Sequence, residues 1–154
     1  MASLSLQEQF APHNKCFGCG PSNSLGLRIK SYVVGDSLVA HFKPQEHHQA
    51  FANVVNGGIV GALLDCHSNW CAAYFIMKEQ KSNELPCTVT AKYSVTLLAP
   101  TPLNEELEII ATPTLVTEKK AQISAKILAR GVCTATCEGL FVAVSPVHPA
   151  YHRW

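Results

Sequence analysis

The sequence predicts an α+β fold in which one six-stranded antiparallel sheet wraps around a single long central helix, in the order β-β-α-β-β-β-β. Three observations predict it. Residues 53–77, NVVNGGIVGALLDCHSNWCAAYFIM, run on after Gly57-Gly58 without a proline and are apolar on almost every side; a helix apolar all round is a buried one. Two stretches of near-alternating apolar residues precede this segment, and four long ones follow it. The links within the last four are too short for the crossovers that parallel strands need.

Residues 1–26 read as a polar leader ending in the turn-rich loop CFGCGPSNSLG. Cys16-x-x-Cys19 has the spacing of half a zinc site. The candidates for the other half, Cys133 and Cys137, lie in an alternating strand. Four strand residues span about 13 Å, too far for both sulfurs to sit about 2.3 Å from one ion. The expectation is a tight loop with small buried thiols and no metal. Leu27–Val34 and Ser37–Phe42 alternate, and Gly35-Asp36 between them is a two-residue hairpin signal. Lys43–Ala52, with Pro44, His47 and His48, reads as a solvated loop; adjacent histidines in extended chain point apart and make a poor metal pair.

After the helix, Lys78–Pro86 is a charged connector, and Cys87–Leu98 is a Thr- and Val-rich strand closed by Ala99-Pro100-Thr101-Pro102. Leu107–Val116 follows, with Pro113 marking an edge or a bulge. A turn at Glu118–Lys120 leads into Ala121–Arg130, where Ala121, Ile123, Ala125, Ile127 and Ala129 share one face, and Arg130-Gly131 turns the chain into Val132–Val144. The tail, 145–154, has no period. A sheet covers the helix on one side only, so a second copy of the chain is the economical cover for the rest.

Composition sets the outer limits. The chain of 154 residues fits a single domain over 1–154. With 12 Lys+Arg against 11 Asp+Glu, and no basic run longer than Lys119-Lys120, nucleic acid and anionic membrane are disfavoured as partners. No secretory signal is visible at the N-terminus, and Asp65, His67, Ser68 and Asn69 interrupt the one long apolar stretch, which argues against a lipid-facing span. Seven cysteines without an export signal point to free thiols in a reducing, cytoplasmic setting.

Asp65 is the one formal charge on the helix before Lys78. An unpaired buried carboxylate is costly, so either a structural partner or chemistry must account for it. The glycine pair at the helix start offers unpaired N–H groups and a positive dipole, which suit a developing oxyanion. His67 and Cys71, spaced i,i+4, could pair as base and thiolate, but small buried core residues are the favoured reading. Trp70, Tyr74 and Phe75 are at helical spacing and read as core or pocket lining.

These residues carry a resemblance. CFGCGPSNSLGL, HHQAFANVVNGGIVGALLD and TAKYSVTLLAP, spread over nearly the whole chain, resemble the hotdog-fold acyl-CoA thioesterases, in particular the phenylacetyl-CoA-thioesterase-like subgroup. NGGIVGALLD is similar to that family's His-Gly-Gly, seven residues, acid pattern. The resemblance implies a thioester hydrolase in which Gly57 gives its backbone N–H to the thioester carbonyl and Gly58 keeps the approach open. Asp65 would activate water or attack directly, and Thr90 would orient the water. Asn56 stands in the usual His position, and Ala50 stands where an amide side chain often binds the carbonyl, leaving Asn53 or Asn56 to substitute. Asn53, Asn56, Gly58 and, from the preceding loop, His48 are the substrate-binding candidates. Ala99 replaces the basic residue often found before the strand-ending proline; Lys92, Lys119, Lys120 and Arg130 are other candidates for the coenzyme A phosphates. No metal and no cofactor beyond the substrate's own coenzyme A are implied, and the assembly would be a homodimer or a homotetramer built as a dimer of dimers.

Helix geometry bears on the same residues. Gly57 and Asp65 are eight residues apart, about 12 Å along a helix axis, whereas an attacking water lies about 3 Å from the carbonyl carbon. Two antiparallel helices meeting about a twofold axis would bring Gly57 of one chain to Asp65 of the other. The alternatives are a hotdog protein that binds acyl thioesters without hydrolysis or acts as a hydratase, and an assembly module in which Asp65 is structural.

Overall fold

The computed structural model describes residues 2–151. In chain order it runs α1 (Leu6–Phe10), β1 (Tyr32–Val34), β2 (Ser37–Phe42), a single 3-10 turn (Glu46–His48), β3 (Gln49–Phe51), β4 (Val54–Val55), α2 (Gly57–Glu79), β5 (Thr88–Leu97), β6 (Leu107–Val116), β7 (Lys120–Ala129) and β8 (Val132–Ala143). Six strands form one antiparallel sheet in the order β1-β2-β6-β7-β8-β5, and β3 and β4 make a separate small hairpin.

The alternation read from the sequence is the packing of this sheet. Leu38 and Ala40 of β2, Leu107, Ile109 and Ala111 of β6, Ala121, Ile123 and Ile127 of β7, and Ala135 and Phe141 of β8 are buried with Leu63, Leu64, Trp70 and Ile76 of α2. Gly35 and Gly131 take positive φ in the two tight hairpins, and Arg130 joins Gly131 there. Pro113 sits at a register shift against β7, two residues past Ala111, the last residue of β6 paired with β2, where a missing N–H is tolerated.

The leader is more ordered than its composition suggests. Ser5 and Glu8 form a reciprocal capping box on α1, and Leu6 and Ala11 are buried. Leu27 and Ile29 are core residues, but their amides donate to Phe17 and Gly18 carbonyls of the leader loop at 2.7 and 3.1 Å. The first strand of the sheet therefore begins at Tyr32 rather than Leu27. Part of the helix surface that the sequence left for a second copy is covered by this segment.

One buried network joins the layers. His67 gives Nε2–H to the Leu38 carbonyl at 2.9 Å, and its Nδ1 accepts from Ser31 Oγ at 2.8 Å. Burial lowers its pKa to about 4, against weaker opposition from hydrogen bonds to the Leu38 and Ile109 backbone. Cys71 points its S–H at the Ala111 carbonyl, and burial raises its thiol far above the usual range. Both residues hold the core, and neither has the environment of an activated nucleophile. No helix among the described residues is long and apolar enough to cross a membrane. Residues 152–154 of the tail lie outside the described residues.

Candidate active site

Ala62, Asp65 and Asn69 recur at three- and four-residue spacing, which places them on one stripe of α2, and all three are partly exposed. Across from them runs the start of β5. A register shift between Thr90 and Lys92 interrupts its pairing with β8; such bulges re-aim the side chains beside them. Thr90 Oγ1 donates to Asp65 Oδ1 at 2.7 Å. The two residues line a cavity of about 560 Å³ together with Asn14, Lys15, Asn69 and Thr88.

The partner that Asp65 finds is the hydroxyl of Thr90. Burial raises the Asp65 pKa above the ordinary carboxyl value; the Thr90 hydrogen bond pulls it down, and negative charge at Cys16 pushes it up again. A carboxylate with one oxygen fixed by a neutral hydroxyl keeps the other oxygen available as a proton acceptor.

The start of α2 is built around Asn56. Its Oδ1 accepts from the amides of Gly58 at 2.8 Å and Ile59 at 3.3 Å, and its carbonyl accepts from Val60 at 3.0 Å. Among the described residues no acceptor meets the Gly57 amide, which leaves it as the first-turn N–H open to a ligand. A Cβ on Gly58 would lie 3.0 Å from Asn56 Oδ1, so the cap needs a small residue there. A Cβ on Gly57 would meet only Leu97 Cδ1, at an ordinary 3.6 Å. Nothing in its own chain requires Gly57 to be glycine.

Gly57 lines a second cavity, of about 400 Å³, with Ala50, Phe51, Val60, Leu97 and Leu98. Asp65 and Thr90 do not line it. Within one chain the open amide and the carboxylate therefore face different cavities, as their spacing along the helix requires.

The other predicted residues lie outside the Asp65 cavity. Asn53 takes a left-handed turn conformation with φ 67°, and its side chain accepts from Asn104. His48 is buried beside Phe42 rather than solvated; its Nδ1 accepts from the Gln45 amide, and its carbonyl accepts from the Asn56 amide at 2.8 Å, which sets where α2 begins. Arg130 is paired with Glu105 at 2.8 Å, and Lys92 lines a third cavity with Tyr93 and Gln122.

A group that the sequence did not bring together lies beside Asp65. Cys16 and Cys19 of the leader loop and Cys66 of α2 have their sulfurs within 4.8 Å of one another, and all three residues line the Asp65 cavity. S–H groups of Cys19 and Cys66 lower the Cys16 pKa, while the same contacts raise Cys66 and Cys19. Its one visible signal was a cysteine directly following the helix acid, and only the path of the leader makes that meaningful.

No family model and no curated protein matches the chain. Solved structures do. A thioesterase superfamily protein from Shewanella loihica PV-4 is 30% identical, with 76% of this chain and 91% of that one covered and a TM-score of 0.65. Another thioesterase superfamily protein is 24% identical over 84% of this chain and 63% of its own length, with a TM-score of 0.68. A phenylacetic acid degradation-related protein from Ralstonia eutropha JMP134, 16% identical with coverage of 76% and 86% and a TM-score of 0.63, shares the fold. The helix-in-sheet architecture and these likenesses agree, and the chain belongs to the thioesterase superfamily as a hotdog-fold member.

Proposed function

We propose that this protein is an acyl-CoA thioesterase working as a homodimer, with two sites that each draw on both chains. The observation that carries the proposal is the Asp65 carboxylate held by the Thr90 hydroxyl in the wall of a cavity. The free Asp65 oxygen takes a proton from water as that water attacks the thioester carbonyl carbon. The carbonyl oxygen becomes an oxyanion facing the partner subunit's Gly57 amide at the positive end of its helix. Collapse of the tetrahedral intermediate breaks the C–S bond and expels the coenzyme A thiolate, which regains the proton from Asp65. No step needs a metal.

Sharing of the site is supported by the surface around Gly57. β5 is an edge strand ten residues long, and Tyr93, Leu97, Leu98 and Phe51 are large exposed apolar side chains. A long apolar edge is a template for another strand or chain. A second copy placed there would cover it and bring its own Asp65 cavity towards Gly57. The seven free cysteines fit a reducing compartment.

The test is release of free coenzyme A from a panel of aliphatic and aromatic acyl-CoAs, by wild type and Asp65→Asn. Turnover that Asp65→Asn reduces by about 100-fold or more is expected. Tight binding of a non-hydrolysable analogue with no turnover of any thioester would move the protein to the non-hydrolytic class.

A further inference from the structure

We propose that Cys16, Cys19 and Cys66 bind one Zn²⁺ ion per chain through three thiolates, tying the leader loop to α2 beside Asp65. The proposal is independent of the hydrolytic reading, because it rests on the geometry of the sulfurs alone. Two thiolates bound about 2.3 Å from a tetrahedral ion lie about 3.8 Å apart. Cys16 Sγ and Cys66 Sγ are 3.8 Å apart. A disulfide would need about 2.05 Å; the observed thiol–thiol contact is too long for a bonded pair and matches the spacing of two ligands on one ion.

The loop is also held tightly around Cys16. In Cys16-Phe17-Gly18-Cys19-Gly20 the Gly20 amide closes the turn on the Cys16 carbonyl at 2.8 Å. Asn14 Oδ1 accepts from the Cys16 amide at 2.7 Å and fixes the loop from the other side. Two glycines make the approach feasible. A Cβ on Gly20 would fall 2.5 Å from the Cys16 nitrogen and the Asn14 oxygen, and a Cβ on Gly18 would fall on the Cys66 sulfur itself. Gly18 is thus the opening through which the helix delivers the third ligand.

Soft thiolate donors in a tetrahedral set select Zn²⁺ over hard cations. Binding releases the thiol protons to solvent, and the three thiolates with Zn²⁺ carry one net negative charge, beside which Lys15 lines the cavity. The fourth position of a tetrahedral ion is left to water. The donor set differs from the one the sequence suggested. Cys133 and Cys137 stay in β8, where Cys133 donates to the Ala135 carbonyl and Cys137 is buried between β5 and β7. The third ligand is Cys66.

The experiment reduces the full-length protein, strips it with chelator and titrates it with Zn²⁺ alone and with Co²⁺ alone, beside Cys66→Ser, Gly18→Ala and the control Cys133→Ser. Wild type and Cys133→Ser are expected to take up one ion per chain, with a sulfur-to-cobalt charge-transfer band and tetrahedral cobalt bands. Cys66→Ser is expected to lose more than about 100-fold in affinity, beyond the 10–100-fold typical of outer-shell changes. Gly18→Ala keeps all three thiols but displaces one, and should weaken binding while circular dichroism stays native. In wild type, Zn²⁺ should protect the exposed Cys16 from alkylation. A reduced wild type that binds no ion, a Cys66→Ser chain that binds as tightly as wild type, or a Cys16 that alkylates equally with and without Zn²⁺ would each overturn the proposal.

Discussion

Thr90 on β5 and Asp65, the ninth residue of α2, are joined by a hydrogen bond of 2.7 Å between hydroxyl and carboxylate. The bond fixes one carboxylate oxygen against the sheet and leaves the other without a hydrogen-bond partner among the described residues. Replacing Thr90 by Val removes the hydroxyl at nearly constant shape. The kcat is expected to fall by about 10–100-fold through misplacement of the carboxylate, with KM little changed, and Thr90→Ser should recover most of the loss. Steady-state kinetics on the preferred acyl-CoA checks this, and a Val variant with wild-type kcat would remove Thr90 from the mechanism.

Asn56 separates stability from activity. It caps two amides of α2 and leaves the third open. Asn56→Ala should lower the unfolding free energy by about 1 kcal/mol, read from urea denaturation. Asn56→Asp is an equally good cap and should hold stability. Its negative charge beside the Gly57 amide opposes an oxyanion, so turnover should drop by at least about tenfold. Equal activity of Asp and Asn at this position would mean that the Gly57 amide does not meet developing negative charge.

His48 makes the loop before α2 sensitive to acid. Its Nδ1 accepts a hydrogen bond from the Gln45 amide, and burial, with a smaller effect of His47, lowers its pKa below the ordinary value. The folded state therefore takes the proton less readily than the unfolded chain. Stability from this site is complete above about pH 6.5 and falls as the pH drops below it. The urea midpoint should decrease from about pH 7.5 to about pH 5.5, and it should decrease less in His48→Gln. Identical slopes for the two proteins would contradict this assignment.

Leu97 tests the proposed dimer face. It is 59% exposed on edge strand β5 and is the nearest side chain to the Cβ position of Gly57. Burial of a leucine contributes about 1.5–3 kcal/mol, and a twofold interface buries it twice. Leu97→Lys should raise the dimer dissociation constant by roughly 100-fold or more, seen by sedimentation, and activity at low protein concentration should fall with it. A Lys variant that remains dimeric would place the interface elsewhere.

Much of this was legible in the residues. A proline-free apolar run gave α2 to within a few positions, strict alternation gave the buried face of β7, and Gly35-Asp36 and Arg130-Gly131 gave their turns, because each depends on neighbours in sequence. Ser5 and Glu8 also carried a local signal, the capping box of α1. What was not legible depends on pairing across distance. Leu27 and Ile29 alternate like a strand, yet their amides bond to the Phe17 and Gly18 carbonyls. Cys66 joins Cys16 across fifty residues only because the leader folds back over α2. His48 turns inward because Phe42 offers it an apolar wall, which no local pattern announces.

Subunit complementation is the most direct measurement. Gly57→Val blocks the amide at a position where an added Cβ makes only an ordinary contact in its own chain, and Asp65→Asn removes the base; each homodimer should be inactive. Mixed dimers carry one intact site in two under the shared arrangement, so activity should return to about half the wild-type value per heterodimer. Confirmed heterodimers without activity would contradict a site made from the carboxylate of one subunit and the helix amide of the other.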